Sequence, residues 1–191
     1  MKKILVCLLL LALLLTACGE TVQTAENIQT QYARLDTAAL SAKITCHLGE
    51  EIRTYELFCT VDPDGASTTV DAPEELAGIT ATVTPDGLTV SYDGLALSAG
   101  ELTDVCPANC LPYLLRAIAE GYLLEQGTEE LNGVSCYRMA LDTTAKSGEK
   151  VLCTVWIDQE TLIPRYAEFA QNDTVLMTAE LTTFQCTLTE D

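Results

Sequence analysis

Residues 79–97 read ITATVTPDGLTVSYDGLAL, and this stretch decides the fold class. Apolar Leu88, Val90 and Tyr92 alternate with polar Thr89 and Ser91, the period of a strand with one buried face. Asp93-Gly94 is the strongest hairpin signal in the chain. A two-residue turn there sets Tyr92 opposite Leu95 and Val90 opposite Leu97. Both pairs are apolar, so turn and pattern agree on one register, and Val90, Tyr92, Leu95 and Leu97 share one face. Thr84-Pro85-Asp86-Gly87 is a second turn. A bulge at this turn would shift the parity of Ile79, Ala81 and Val83, so these three are left out of that face.

The same period runs outward in both directions. Ile44, Cys46 and Leu48 alternate with Lys43, Thr45 and His47. Beyond Gly49-Glu50, Tyr55, Leu57, Cys59 and Val61 alternate with polar residues, with Phe58 breaking the pattern. A turn at Gly49-Glu50 brings Cys46 near Arg53. Asp62-Pro63-Asp64-Gly65 is turn chemistry. It starts like a calcium loop, but the later ligands are missing. Towards the C-terminus, Val134–Leu141 and Val151–Ile157 flank Ser147-Gly148, which puts Cys153 near Asp142. Ile163–Ala170 and Val175–Leu188 flank Asn172-Asp173. Two segments follow the helical period instead. Ile28, Tyr32, Leu35 and Ala39 predict a helix over Glu26–Leu40, with Thr24 as its cap. Leu111, Leu114, Leu115, Ile118 and Tyr122 predict a mid-chain helix, with Asn109 as candidate cap, Pro112 in its first turn and Gly121 at its stop. The fold class is α+β: an antiparallel sheet of about 10–11 strands, with an N-terminal and a mid-chain helix to cover one face.

Residues 1–18 read MKKILVCLLLLALLLTAC. Lys2 and Lys3 precede an apolar run from Ile4 to Leu15, which is too short to span a bilayer and fits a secretory leader. Leu15-Thr16-Ala17-Cys18 resembles the bacterial lipobox. That resemblance implies cleavage after residue 17, acylation of Cys18 and anchoring by the attached chains, each buried CH₂ contributing about 0.8 kcal/mol. The expected organisation is a leader over 1–17, an acylated tether over 18–25 and one domain over 26–191. The protein would be lipid-anchored to the cell membrane on its extracytoplasmic face.

Composition narrows the function. The chain has 191 residues and a net charge of −18, and removal of the leader with its two lysines makes it more acidic still. Such a chain is repelled by nucleic acid and by anionic headgroups, so no nucleic-acid partner is expected. With Cys18 acylated, seven cysteines remain: Cys46, Cys59, Cys106, Cys110, Cys136, Cys153 and Cys186. The compartment permits disulfides, but hairpin counting aligns no cross-strand pair. Buried thiols used as small apolar side chains account for most of them. Cys106 and Cys110 could instead form a local bridge at the helix start, or a redox or metal pair. His47 is the only histidine, which removes H-E-x-x-H metal sites. Glu50-Glu51 and Glu129-Glu130 sit on loops with no sign of a cleft between them. No nucleophile elbow, phosphate loop or dinucleotide fingerprint is present. The reading is non-catalytic, with no cofactor and no metal.

An acylated N-terminus, a helix, a long antiparallel meander and a mid-chain helix together resemble the half-barrel lipoprotein superfamily of LolA, LolB and LppX. Trp156-Ile157-Asp158-Gln159-Glu160-Thr161-Leu162-Ile163-Pro164 is similar to its strand–turn–strand signature, and Leu111-Pro112 fits the start of its helix. The resemblance implies a curved sheet that cups a lipid or other apolar ligand against the helices. It also implies an arginine that responds to cargo, for which Arg34, Arg53, Arg116, Arg138 and Arg165 are candidates. On this reading Val90, Tyr92, Leu95 and Leu97 face Leu114, Leu115 and Ile118 across the ligand space. The alternative is an RseB-like interaction or sensing module with a packed core and a protein partner.

Overall fold

The computed structural model describes residues 24–102, 104–144 and 148–189. The leader and Cys18 lie outside them. Helix α1 covers Ala25–Tyr32. Six strands follow: β1 (Leu35–Leu48), β2 (Glu51–Asp62), β3 (Gly65–Ala72), β4 (Thr80–Thr84), β5 (Gly87–Tyr92) and β6 (Leu95–Gly100). Helix α2 covers Cys110–Glu120. Among the described residues five more strands follow: β7 (Tyr122–Leu131), β8 (Val134–Thr144), β9 (Lys150–Asp158), β10 (Pro164–Gln171) and β11 (Thr174–Leu188). All eleven form one open, curved antiparallel sheet in the order β6-β5-β4-β3-β2-β1-β11-β10-β9-β8-β7. The first and last strands therefore meet in the middle. The chain leaves the sheet at the β6 edge and re-enters it at the β7 edge, and α2 lies in that crossing.

Directly opposed residues share a face, so the ladders identify the inner side. Met139, Val155, Ala167, Ala179 and Ile44 form one row across β8, β9, β10, β11 and β1, and all are buried. The outer row one residue away runs Arg138, Trp156, Tyr166, Glu180, Lys43 and Glu56. Apolar residues inside and charges outside are what a one-sided core requires. Leu111, Leu114 and Ile118 of α2 and Ile28 of α1 are at most 1% exposed in that core.

Several expectations are corrected. The N-terminal helix ends at Tyr32, and Leu35 to Leu40 belong to β1. Ala38, Leu40, Ala42, Ile44 and Cys46 are buried alternately, and β1 is paired on both sides, by β2 and β11. Two ladders and a period-two core face outweigh a helical spacing that continues only by coincidence through Leu35 and Ala39. The Thr24 cap is present, its hydroxyl accepting from the Asn27 amide at 3.4 Å. Tyr122 is not on α2 but begins β7, where it is exposed. Gly121 ends the helix, and a Cβ there would meet the Ala117 carbonyl oxygen at 2.5 Å. Cys153 lies opposite Leu141 rather than Asp142, because Thr144 pairs with Lys150 and the connection has an odd number of residues. Cys46 lies opposite Arg53, as the β1–β2 turn requires.

The Trp156–Pro164 segment forms the turn its sequence implied. Asp158 Oδ1 accepts from the amides of Glu160 (2.9 Å) and Thr161 (3.1 Å), and Oδ2 takes two bonds from Arg165, at 3.1 and 2.6 Å. Asp62 closes the β2–β3 turn in the same way, accepting from Asp64 and Gly65. That fixes its role as turn former.

Candidate functional site

The residues expected to enclose a ligand separate into two environments. Leu114, Leu115 and Ile118 are buried in the core beneath α2. The 93–94 hairpin has the expected register, with Tyr92 opposite Leu95 and Val90 opposite Leu97. Asp93 and Gly94 have φ of 48° and 77°, the left-handed values of a type I′ turn. The face assignment also stands: Leu40, Cys59, Thr68, Ala81, Val90 and Leu97 follow one another across β1 to β6 on the inner side. Yet the helices do not cover this wing. Tyr92, Leu95 and Leu97 are 55%, 77% and 71% exposed. The structure therefore does not bring these strand residues against the α2 stripe.

A pocket does open between α2 and the sheet, one row away. It measures about 330 Å³ and is open to solvent on one side. Val61, Ala66 and Val83 form its sheet wall, and Pro112, Tyr113 and Arg116 its helix wall. The volume is at the lower end of the roughly 300–1,000 Å³ usual for small-molecule sites. Val83 belongs to the strand that the sequence reading set aside. The β4–β5 ladder is regular from Thr80–Ser91 to Thr84–Gly87, so the turn shifts no parity. The irregularity lies one strand on, between Leu88 and Thr89 in the β5–β6 ladder. Gly65 lets β3 and β4 approach closely at the pocket's edge, because a Cβ there would collide with the Val83 carbonyl oxygen.

The pocket's charged rim is specific. Arg116 lies over the Tyr113 ring at 4.9 Å from its centroid, a cation–π contact. The other candidate arginines are held elsewhere. Arg53 pairs with Glu51, Arg138 with Glu125 and Glu129, and Arg165 with Asp158, while Arg34 donates to the Thr189 carbonyl. Among the described residues, Arg116 is the arginine that lines this pocket. Asn109 does not cap α2 through its side chain. Its Oδ1 accepts from the Cys106 amide at 2.8 Å and its Nδ2 donates to the Asp104 carbonyl at 3.0 Å, so it ties the loop that forms the pocket's lip. Tyr113 is fixed by a hydroxyl contact to Thr143 and an edge-on contact to Phe169.

The cysteines contribute packing. Cys46, Cys59, Cys110, Cys136 and Cys153 are buried, Cys106 is half-buried and Cys186 exposed, and all seven are free thiols. Burial pushes the Cys46 and Cys59 thiols up to about 11 and Cys153 up to about 12, and it holds Cys110 well above the ordinary thiol value. Protonated thiols are poor nucleophiles and poor metal ligands. Among the described residues no group of three or more His, Cys, Asp or Glu is arranged to hold a metal.

No family model matches the sequence, and no curated protein matches it. Solved structures do. An uncharacterised conserved protein from Thermus thermophilus superposes with a TM-score of 0.52 at 10% identity, covering 88% of this chain and 90% of its own. A DUF1329 family protein from Desulfovibrio piger gives 0.51 at 13% identity, covering 86% and 92%. A domain from Vibrio parahaemolyticus assigned to outer membrane lipoprotein sorting gives 0.50 at 14% identity, covering 85% and 93%. At such identities the likeness is one of fold. The chain shares with these three proteins a fold built on one open, curved antiparallel sheet with helices on its inner side.

Proposed function

We propose that this chain is an extracytoplasmic lipoprotein, anchored to the membrane through acyl chains on Cys18, that holds a lipid or other apolar small molecule without transforming it. The half-open pocket between α2 and the sheet carries this reading. Its wall residues Val61, Ala66, Val83, Pro112 and Tyr113 offer apolar surface, and charge lies at the rim, where Arg116 stands with Asp62, Asp64 and Asp104. An apolar wall with few polar groups is the usual make-up of a small-molecule site. The lipobox-like Leu15-Thr16-Ala17-Cys18 supports the anchor. The interaction-module reading is favoured by a different observation, the exposed Tyr92, Leu95 and Leu97 on the uncovered wing.

Val83→Trp tests the pocket. A filled cavity loses uptake of a fluorescent fatty acid by tenfold or more, with thermal stability nearly unchanged. A packed region responds with overpacking, a loss of about 1–3 kcal/mol. That loss, together with no uptake by the wild type, would refute the ligand reading. Cys18→Ala tests the anchor: radiolabelled palmitate incorporation is expected to disappear, and label retained in this variant would contradict the lipobox assignment.

A further inference from the structure

The two edges of the sheet are built differently. β7 carries Glu125, Glu129 and Glu130, and the first two pair with Arg138. Charges of this kind blunt an edge against pairing with another chain. β6 reads Leu95-Ala96-Leu97-Ser98-Ala99-Gly100, with no charge and no proline, and every residue in it is exposed. Leu95 and Leu97 sit on the inner face beside Tyr92, forming an apolar strip at the rim. The ladder also fixes which backbone groups are free. Tyr92 and Leu95 close a two-residue turn as a hydrogen-bonded pair, and Val90 and Leu97 repeat it. The N–H and C=O groups of Ala96 and Ser98 therefore point away from β5.

We propose that the β6 edge receives an extended segment of another protein as a twelfth strand, with apolar side chains at alternate positions and lysine or arginine at its flanks. The alternation matches Leu95 and Leu97 on one face. The charge follows from the ends of the strand, where exposed Asp93 and Glu101 stand on a chain of net charge −18. The same acids oppose a second copy. Antiparallel self-pairing centred on Leu97 sets Asp93 opposite Glu101 of the other copy, twice, and like charges directly opposed are unfavourable. A lipid surface would cover the leucines but leave the Ala96 and Ser98 backbone groups without partners in an apolar medium. The inference does not depend on the pocket, whose wall residues are different.

The test uses the acylated full chain in detergent micelles and a fluorescent synthetic peptide of alternating valine and threonine with two lysines at each end. Ser98→Pro removes one outward N–H and keeps the β5 ladder, a position where edge strands accept proline. The peptide is expected to bind the wild type and to lose tenfold or more in affinity for Ser98→Pro. A glutamate-flanked version of the peptide should lose as much. Leu97→Lys, which leaves the backbone intact, should weaken the lysine-flanked peptide similarly. Each variant is checked for an unchanged circular dichroism spectrum, and Leu97→Lys decides the matter where Ser98→Pro unfolds. Four results would overturn the proposal: no binding to the wild type, equal binding to the folded variants, a β6-dependent dimer in sedimentation, or Leu97-dependent binding to phosphatidylcholine vesicles in place of the peptide.

Discussion

Phe169→Ala is expected to lower stability by about 3–5 kcal/mol, the usual cost of deleting a fully buried aromatic side chain. Phe169 is completely buried on β10, opposite Cys153 and Met177 on the inner face. Its ring meets Tyr113 of α2 edge-on, with centroids 6.1 Å apart. It is thus one direct side-chain contact between the sheet and the helix that walls the pocket. The neighbouring residues are themselves held by two ladders, so the site cannot collapse and the cavity term stays large. Urea unfolding measures the loss. A change below about 1 kcal/mol would show that α2 is not seated on this residue. Uptake of a fluorescent fatty acid should fall with it, because Tyr113 loses one of its two fixing contacts.

The second large effect belongs to Asp158, and it depends on pH. Asp158→Ala is expected to cost about 2–3 kcal/mol near neutral pH, the scale of losing hydrogen bonds to a buried charge. The residue is 4% exposed, and without it the Glu160 and Thr161 amides and the Arg165 guanidinium lose their acceptor. Arg165 is 46% exposed, so water compensates part of its loss and keeps the figure at this level. Burial alone would raise the Asp158 carboxyl. The hydrogen bonds from Arg165, Thr161 and Glu160 outweigh burial and hold it below the usual carboxylate range. A depressed native pKa means that the folded state favours the ionised form. The stabilisation is complete above the unfolded-chain value near 4 and is lost as pH falls towards the native value. The gap between wild type and Asp158→Ala should therefore be widest at neutral pH and shrink in acid. A gap that stayed constant down to pH 2 would remove the carboxylate from this account. Asp158→Asn, which keeps an oxygen for the turn amides, should lose less.

The sheet was legible because its signals are local. Asp93-Gly94, Asn172-Asp173 and Gly49-Glu50 each fix a register through a short turn, and the ladders follow them. The β7 strand was passed over for physical reasons. It is an edge strand, half-paired and glutamate-rich, so its residues show no buried alternation. The signal that marks it is Asn132-Gly133, with φ of 51° and 82°, a type I′ turn between Leu131 and Val134. Leu35 and Ala39 misled in the opposite direction, since spacings of three and four residues fit a short helix and a following strand equally well.

The ligand site was legible only as an arrangement, a helix facing an apolar sheet. Which row of the sheet faces the gap depends on how far α2 reaches, and that depends on the path of residues 104–109 leading into it. Asn109 organises that loop with bonds to Cys106 and Asp104, a role that a cap-like residue at this position does not reveal. As a result the pocket falls on Val61, Ala66 and Val83, while Tyr92, Leu95 and Leu97 remain uncovered.

Native mass spectrometry of the body from residue 19 onwards, purified without detergent, tests the central claim most directly. The account predicts a population carrying one lipid-sized adduct in wild type that is absent from Val83→Trp. A single bare polypeptide mass in both, with no fatty-acid uptake by the wild type, would contradict it.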